Sequence, residues 1–307
     1  MRSDTAFVIL LAMSLAACAP ASDEAPPAEA GGAATPTIAA FRAGENVAPF
    51  TIGTLQAAAL KDAAFSPAND NRTLAINQTK AEVDALLTAN GLATDVLELS
   101  VQPLIVRTAD RVLLFDTGNG PSAMLSASMA TAGVEAGAVT DIFISHSHGD
   151  HVNGLVAASG GLAFPNATVH ISANEWAAMQ ANAQLAALVS TVAPRVSTFA
   201  PGAELVPGAV RAVDIQGHTP GHSGYLITSG QESLLYIGDT MHHHVISVQR
   251  PDWTIAFDAD APLAQASRRE VLSSSAASGQ RIYAVHFPFP GLGRFENRAG
   301  TFVWVAE

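Results

Sequence analysis

The feature that most constrains this 307-residue chain is a dense cluster of metal-binding residue types directly after a short apolar run. Residues 141–144 read Asp-Ile-Phe-Ile, which is typical of a buried strand that stops at the next serine. The six residues that follow that serine include three histidines and one aspartate: His146, His148, Asp150 and His151. Side chains two apart in an extended segment project the same way, so the first two histidines can bind one ion. After a turn at Gly149, the other two side chains can face a second ion.

The ligand types indicate which metals suit the cluster. Neutral imidazole and carboxylate bind zinc, iron and manganese well. The chain has one cysteine, Cys18, and it lies far upstream, so no thiolate reaches the cluster and no disulfide forms within the chain. We expect two divalent metal ions, zinc first, with iron, manganese or cobalt as alternatives.

Composition bounds the size of the core and the partners. The chain is 49% hydrophobic and 14% charged, which suffices for a substantial core. Its net charge is −12, and the 15 basic residues are scattered rather than clustered. No basic surface is therefore expected for a phosphate backbone, and nucleic acid is not an expected partner.

The N-terminal residues predict export. One arginine precedes an apolar stretch at residues 7–17, which is too short to span a bilayer, and Leu-Ala-Ala-Cys18 resembles the bacterial lipobox. Residues 1–18 are thus expected to be a lipoprotein signal peptide, with Cys18 acylated; the alternative is an ordinary secretory signal with a chance cysteine. The protein would then be anchored in the bacterial cell envelope by a lipid, at the outer membrane and facing the periplasm.

A tether and a single large domain are expected to follow the signal. Residues 19–40 are rich in alanine, proline and glycine, with almost no large apolar side chain to offset the entropy of ordering. A flexible coil of this length would reach on the order of 25 Å. Residues 41–307 contain no low-complexity break and no repeat, so we expect one domain.

The hydrophobic pattern places each histidine cluster just after a predicted strand. The first two predicted strands form a hairpin. Loops that leave the ends of strands in a rigid sheet, as those with the histidine clusters do, commonly carry functional side chains. The predicted strands are 97–107, 112–116, 141–144, 167–172, 210–216, 225–228, 233–237 and 281–285, and the predicted helices are 122–132, 173–180 and 261–274.

The pattern His-x-His-x-Asp-His after a hydrophobic strand resembles the signature of the metallo-β-lactamase superfamily. Four further segments match that superfamily in the expected order: 116–118, 217–222, 237–240 and 285–286. The resemblance extends from residue 97 nearly to the C-terminus. It implies an α/β fold, the αββα four-layer sandwich in which two mixed β-sheets are flanked by helices.

The resemblance also implies a ligand set. One metal would be held by His146, His148 and His222, and the other by Asp150, His151 and His286, with Asp239 bridging both. Asp116, His218 and Thr219 would support these ligands from behind. Two dications a few Å apart can hold a bridging hydroxide at neutral pH, so Asp150 and Asp239 would belong to the catalytic centre.

The C-terminal half looks most like the methyl parathion hydrolases and quorum-quenching lactonases. This likeness is carried by segments 217–225, 238–239, 257–260 and 284–293. It implies a binuclear metal-dependent hydrolase that opens a lactone, a carboxylic ester or a phosphotriester. The chain departs from the lactonases at His242, near which they often have a tyrosine that steadies the carbonyl oxygen. The alternatives are a β-lactamase, a mononuclear iron dioxygenase of the persulfide type on the same fold, and a non-catalytic metal-binding lipoprotein.

The remaining candidates concern the substrate. At least one ring of the run 242–244 could face the pocket, and we take it to be His242. Phe287 and Phe289 are expected to form an apolar acyl or leaving-group pocket. His170 lies within a strand pattern and is expected to be a sheet residue. The expected partners are a small-molecule substrate, the membrane through the lipid anchor, and a second copy of the chain in a homodimer.

Overall fold

Alternating burial along the strands builds a layered domain. In the strand Val112–Phe115, Leu113 and Phe115 face one apolar cluster, whereas Leu114 faces another on the opposite side. The period of two is expected for a strand buried on both faces. The computed structural model describes residues 38–307. The expectations for the signal peptide, for Cys18 and for nearly all of the tether lie outside the described residues.

Two seven-stranded sheets form the centre of the fold. The first has the spatial order β1 (Val47–Ile52), β2 (Leu55–Leu60), β5 (Leu104–Arg107), β6 (Val112–Phe115), β7 (Asp141–Phe143), β8 (Thr168–Ser172) and β9 (Val196–Phe199). The second has the order β10 (Glu204–Val206), β11 (Val210–Asp214), β12 (Ser223–Ser229), β13 (Glu232–Tyr236), β14 (Arg281–Tyr283), β15 (Leu292–Arg298) and β16 (Thr301–Ala306). A separate small sheet pairs β3 (Ala63–Phe65) with β4 (Leu99–Val101).

Helices cover the outer face of each sheet. The helices are α1 (Lys80–Ala89), α2 (Leu125–Ala132), α3 (Gly149–Val152), α4 (Ala173–Ala181), α5 (Ala186–Val192), α6 (Ile246–Gln249) and α7 (Ala261–Ser278). Helices α2, α4 and α5 pack on the first sheet, and α7 packs on the second. The central core lies between the two sheets and includes stacked aromatic rings such as Phe115 and Phe143. This arrangement confirms the predicted four-layer sandwich.

Strand direction determines where the loops with functional side chains meet. Strands β6 to β9 run parallel, as do β13 and β14, and the other neighbouring strands are antiparallel. The loops after β6, β7, β13 and β14 leave the two sheets at one shared edge, where the hydroxyl of Tyr236 donates to Asp116 at 2.7 Å. The carboxyl ends of parallel strands are a common place for a site in α/β folds.

The first predicted strand is wrong in its extent. Residues 97–107 are divided into β4 and β5 at Gln102 and Pro103, and only β5 forms the hairpin with β6. Proline has no N–H for a ladder, which favours a break at this position. The buried Gln102 side chain donates to the carbonyl oxygens of Ala284 and Phe287, at 3.0 and 2.9 Å, so it joins the two sheets.

The other predicted elements agree with the structure within a few residues at each end. The helix predicted at 122–132 begins at Leu125, and the helix predicted at 261–274 continues to Ser278. Strands β1 to β3 and helix α1 lie in the region 41–96, for which no element was predicted. Among residues 38–307, no helix is both long and apolar enough to cross a membrane.

Candidate metal centre

Six histidines and two aspartates converge where the loops after the parallel strands meet. They belong to three overlapping groups whose ligand atoms lie within 4.8 Å of one another. The first group is His146, His148, His218 and Asp239; the second is Asp150, His151 and His286; the third is Asp239, His242 and His286. All but His148 and Asp150 are buried.

The first group brings three imidazoles together. The Nδ1 atom of His148 lies 3.0 Å from Nε2 of His146 and 3.0 Å from Nε2 of His218. One oxygen of Asp239, Oδ2, lies 3.4 Å from Nε2 of His218 and 3.5 Å from Nε2 of His146. Three ring nitrogens and a carboxylate that point at a common space form a donor set suited to zinc or iron.

The second group meets the other oxygen of Asp239. Oδ1 lies 3.1 Å from Nε2 of His151 and 3.0 Å from Nε2 of His286. The Asp150 carboxylate, which is half-buried, lies 3.5 and 3.6 Å from the same two nitrogens. The two oxygens of Asp239 therefore face two different sets of donors, which is the geometry required of a bridging carboxylate.

The buried atoms of this centre that have no hydrogen-bond partner among residues 38–307 include Nε2 of His151 and Oδ1 of Asp239. They lie close to each other, but not along hydrogen-bonding directions. A buried polar atom without a partner is costly and rare. A metal ion would satisfy both atoms, so the residues present fit the two cations that the sequence predicts.

Contacts behind the centre orient His151 and His286. The Asp116 carboxylate accepts from Nδ1 of His151 at 2.7 Å, from the backbone and hydroxyl of Ser145 at 2.7 and 2.6 Å, and from Tyr236. Nδ1 of His286 donates to the carbonyl oxygen of Ser100 at 2.8 Å. A proton held on Nδ1 leaves the Nε2 lone pair free for a metal.

The two histidines of segment 217–222 have the opposite roles to those expected: His218, not His222, lies among the candidate ligands. Both ring nitrogens of His222 are occupied: Nδ1 donates to Ile215 O at 2.7 Å, and Nε2 accepts from Asp239 N at 2.9 Å. His218 instead directs Nε2 into the first group, while its Nδ1 lies 3.0 Å from Asp258 Oδ1. The physical reason is position: His222 directly precedes β12 and is held against the backbone, whereas His218 lies on the loop that reaches the centre.

A glycine makes room for His222 beside Asp239. Gly238 has a φ of +49°, and a Cβ there would lie 2.6 Å from Nε2 of His222 and 2.9 Å from Cβ of Ser145. A side chain at this position would therefore displace either the imidazole or the loop after β7. The glycine between Ile237 and Asp239 is a requirement of close packing as well as of backbone conformation.

Electrostatics in the protein without bound metal follow from burial and charge. Burial opposes ionisation of Asp239, but the adjacent His151 and His286 outweigh it and hold the pKa of Asp239 well below its usual range. Burial also disfavours charge on His218, yet hydrogen bonds to Asp239 and Asp258 raise its pKa to about 9. Burial, and then the charge of His218, lower the pKa of His222 to about 4. The neutral His222 matches its structural position.

A cavity of about 540 Å³ opens onto the centre. Its floor carries polar side chains, and its walls are largely apolar. The floor is formed by His148, Asp150, Asp239, His242 and His286, and the walls by Phe65, Pro67, Thr73, Leu99 and Phe257. Phe65 and Phe257 are 42% and 51% exposed, so two large aromatic rings remain available to a ligand at the mouth.

The expected apolar pocket residues are not those that line the cavity. Phe287 is fully buried and packs edge-on against Trp304, at a centroid distance of 5.0 Å, in the core under α7. Phe289 packs against the core between the sheets. Both lie after β14 on the inner side of a loop that returns into β15, which directs them away from the cavity. His242 does face the cavity, as expected.

His243 and His244, the other two histidines of the run, pack beside the start of α6. Nδ1 of His243 accepts from the backbone N–H groups of Val245 and Ile246, at 3.1 and 3.2 Å, at the start of α6. Burial lowers the pKa of His243 to about 3, so it remains a neutral acceptor. His244 stacks on His243 at 4.7 Å.

The side chains of His170 and Thr219 do not contact the candidate metal ligands directly, and several residues near the centre were not expected from the sequence. His170 bonds to Asp141 at 2.9 Å at the far end of β7, as a sheet residue would. The Thr219 hydroxyl donates to Glu175 rather than to a histidine. Sequence reasoning did not identify Glu175 or Asp258 behind the centre, or Phe65 and Phe257 at the cavity; segment 257–260 carried the only hint, through its family likeness.

The comparisons with known proteins agree with this geometry. The family described as the metallo-beta-lactamase superfamily matches residues 98–286. The chain belongs to this superfamily and has its hydrolase fold. No curated protein sequence matches the chain significantly.

Solved structures include two neighbours above 25% identity. The dizinc quorum-quenching lactonase AidC, solved with a product, is 29% identical with a TM-score of 0.79, and the match covers 85% of this chain and 97% of that one. The hydrolase AbOPH of the beta-lactamase superfamily is 26% identical with a TM-score of 0.77, over 87% and 99% of the two chains. A probable metal-dependent hydrolase from Staphylococcus aureus, 18% identical with a TM-score of 0.70 over 84% and 99% of the chains, shares the fold.

Proposed function

We propose that this protein is a binuclear metal-dependent hydrolase of small ester-like bonds, with lactones and carboxylic esters as first substrates and phosphotriesters as an alternative. The observation that carries the proposal is the position of Asp239. Its Oδ2 faces His146 and His218, and its Oδ1 faces His151 and His286. A carboxylate shared in this way is expected to bridge two cations rather than to bind one.

We assign the ligands from the geometry. One ion would be held by His146, His148 and His218, and the other by Asp150, His151 and His286, with Asp239 common to both. Zinc is the first candidate for both sites, because the donors are imidazole and carboxylate. The dizinc centre named for the neighbour AidC supports this choice. When bound, two such ions would supply an activated water at neutral pH and a Lewis acid for the oxygen of the scissile bond.

The residues of the chain bind and orient the substrate around that chemistry. Asp150 lies on the floor of the cavity, and the adjacent His151 and His286 outweigh burial to lower its pKa well below the usual range. It is therefore ionised at neutral pH and acts as a ligand rather than as a proton donor. Phe65, Leu99 and Phe257 offer an apolar surface for the acyl or aryl part of the substrate and exclude water beside the scissile bond.

We also propose that the protein is a lipoprotein, anchored to a membrane through an acylated Cys18. The support is the sequence Leu-Ala-Ala-Cys18 and the 22 residues at 19–40 that follow it, which are rich in alanine, proline and glycine. In this proposal the acylated Cys18 holds the catalytic domain on the periplasmic side of the cell envelope, where a small lactone or ester could reach the cavity by diffusion.

Metal analysis and a substrate panel test the proposed reaction. Purified protein should contain about two transition-metal ions per chain and should hydrolyse a lactone or aryl ester faster than a phosphotriester or a β-lactam. Preferred turnover of the β-lactam would identify a β-lactamase instead. A fixed content of one iron per chain, with persulfide oxidation and no hydrolysis, would identify the dioxygenase.

A further inference from the structure

Glu175 is a fully buried glutamate in the first turn of α4, behind the metal centre. Its Oε1 accepts from the backbone N–H of Ser147 at 2.8 Å and from the Ser147 hydroxyl at 2.5 Å. Its Oε2 accepts from the Thr219 hydroxyl at 2.7 Å and from the N–H of Gly221 at 2.9 Å. Four donors therefore satisfy the carboxylate, and all four belong to two loops.

Those two loops carry the three imidazoles of one proposed ion. Ser147 lies between His146 and His148, and Thr219 directly follows His218. Among residues 38–307, no Lys, Arg or His side chain forms an ion pair with Glu175, and the four donors to its carboxylate are neutral. Burying such a charge is costly unless a specific requirement keeps it there.

A second helix of this protein shows what the same sequence motif does elsewhere. Thr79 caps the start of helix α1, and Glu82 follows three residues later. The Glu82 side chain accepts from the Thr79 backbone N–H at 2.8 Å in a complete capping box. Ser172 caps helix α4 in the same way, with Glu175 three residues later, and the Ser172 hydroxyl accepts from Glu175 N. Glu175 turns away from its own helix and contacts the loops, so this carboxylate is not used as a cap.

The contact between α4 and the second loop is close. The Ser172 hydroxyl donates to Gly221 O at 2.6 Å. A Cβ on Gly221 would lie 2.2 Å from Glu175 N and 2.3 Å from the Ser172 hydroxyl oxygen. Only a glycine permits this approach, which fixes the loop of Thr219 against the first turn of α4.

We propose that Glu175 is a positioning residue that sets the spacing of His146, His148 and His218 by holding both of their loops with one carboxylate. The inference rests on the proposed function, because it concerns one of the two proposed metal sites. Glu175 reaches none of the ligand atoms and acts through Ser147 and Thr219. Its removal should therefore weaken one ion selectively and leave the ion at His151 and His286 unchanged.

The substitution Glu175→Gln tests this proposal. An amide has one oxygen and an NH₂ group, so it cannot accept from all four donors, and its NH₂ must face an N–H of one loop. Metal-free protein would be titrated with zinc against a chromophoric chelator. We expect the affinity for one zinc equivalent to fall about 10- to 100-fold, the range usual for lost supporting contacts, and the other equivalent to bind as in wild type.

Two matched controls separate positioning from stability. Glu82→Gln makes the same change at the same place in a capping motif, without contact to a metal loop. Asp141→Asn removes a buried carboxylate that bonds to Arg111 and His170 at the far end of β7. Both controls should bind two zinc equivalents with wild-type affinities.

A measurement without metal decides the same point. Amide hydrogen exchange at Ser147 and Gly221 should be slow in metal-free wild type and faster in Glu175→Gln, with exchange in β15 unchanged. If Glu175→Gln does not fold, Thr219→Val removes one donor of the four and should shift the same zinc equivalent in the same direction, by about 3-fold or more. Equal weakening of both equivalents, or of neither, would overturn the proposal, whereas a wild type that binds a single zinc would count against the proposed function.

Discussion

At the scale of single residues, the centre depends on which atom faces which neighbour. The two oxygens of Asp239 divide the imidazoles into two sets, and its backbone N–H is held by His222. The side chain is almost completely buried, so water cannot substitute for its charge. Replacing Asp239 should affect both sets, whereas replacing any one histidine should affect one.

The first prediction concerns Asp239→Ala. Loss of the shared negative charge between two dications should release both ions and lower kcat at least roughly a hundredfold on the best panel substrate. His170→Ala is the control, since that ring bonds to Asp141 and stacks on Phe143 away from the centre. Metal content and kcat are measured for both variants. Two bound metals and parental kcat in Asp239→Ala would refute the bridging assignment.

The second prediction distinguishes the two histidines of segment 217–222. His218→Ala should lose one metal equivalent, because its Nε2 faces His148 and Asp239. His222→Ala should retain two equivalents in the folded protein but unfold at lower denaturant concentration. The substitution leaves two buried backbone groups unpaired, the carbonyl oxygen of Ile215 and the N–H of Asp239. Each such group costs about 1–3 kcal/mol in the free energy of unfolding. Metal titration and urea unfolding of both variants give the answer, and the reverse pattern would restore His222 as the ligand.

At the scale of elements, α7 connects the centre to the wall of the cavity. Arg268 is fully buried and donates to the carbonyl oxygens of Thr240 and Pro251, at 2.9 and 2.8 Å. It also pairs at 2.9 Å with Asp258, whose other oxygen lies 3.0 Å from His218. One guanidinium therefore holds the loop after Asp239 and the loop that carries Phe257.

The third prediction compares two adjacent arginines of α7. Arg268→Met removes the guanidinium partner of one oxygen of the buried Asp258. Breaking a buried ion pair by removing one partner typically costs about 3–5 kcal/mol in the free energy of unfolding. Arg269→Met breaks only an exposed pair with Asp252, and such pairs contribute about 0–1 kcal/mol. In urea unfolding, Arg268→Met should therefore have a clearly lower midpoint than Arg269→Met. Equal midpoints for both would show that the buried pair does not hold the domain together.

The elements also show which parts of the fold the sequence could predict. Strands with strong apolar runs, such as β6 and β7, were predictable because period and burial agree. Strand β2 reads Leu-Gln-Ala-Ala-Ala-Leu, and alanine has little strand preference, so only its pairing with β1 and β5 makes it a strand. The cavity wall was not predictable, because Phe65 and Leu99 meet through the register of β3 and β4.

The ligand types of the candidate centre were predictable from the sequence, but not the choice of every ligand. Dense motifs after strands identify the ligand types, but spacing alone cannot choose between His218 and His222, which lie four residues apart on one loop. Glu175 was not predictable as a supporting residue, because Ser172 three residues before it gives the sequence of an ordinary capping box. Its contacts depend on the packing of α4 against two distant loops.

At the scale of the whole molecule, the fourth prediction concerns attachment to the membrane. Cys18 would be acylated at the end of the signal sequence, so labelled fatty acid should be incorporated into the wild type. Cys18→Ser should abolish labelling and release the protein from membranes while leaving hydrolase activity unchanged. Membrane fractionation with and without the substitution provides the test. A Cys18→Ser protein that remains as membrane-bound as the parent would contradict the lipobox.

Metal binding is also expected to stabilise the whole domain, because the ligands come from both sheets. The ligands on the loop after β7 meet those on the loops after β11, β13 and β14, so an ion bound there would join the two halves of the sandwich. A ligand that binds the folded state alone adds RT ln(1 + [L]/Kd), about 4 kcal/mol at a free concentration 1,000 times Kd.

The last prediction follows from that linkage. Removing metal with a chelator should lower the Tm of the wild type by roughly 10 °C, since a domain of this size shifts by about 2–4 °C per kcal/mol. Restoring zinc should return the Tm. Asp239→Ala, which cannot share a charge between two ions, should show a much smaller shift on the same treatment, and His170→Ala should show the wild-type shift. The measurement is a thermal melt of each variant with chelator and with added zinc. A wild-type Tm that is the same in both conditions would mean that the converging imidazoles do not bind zinc in the folded protein.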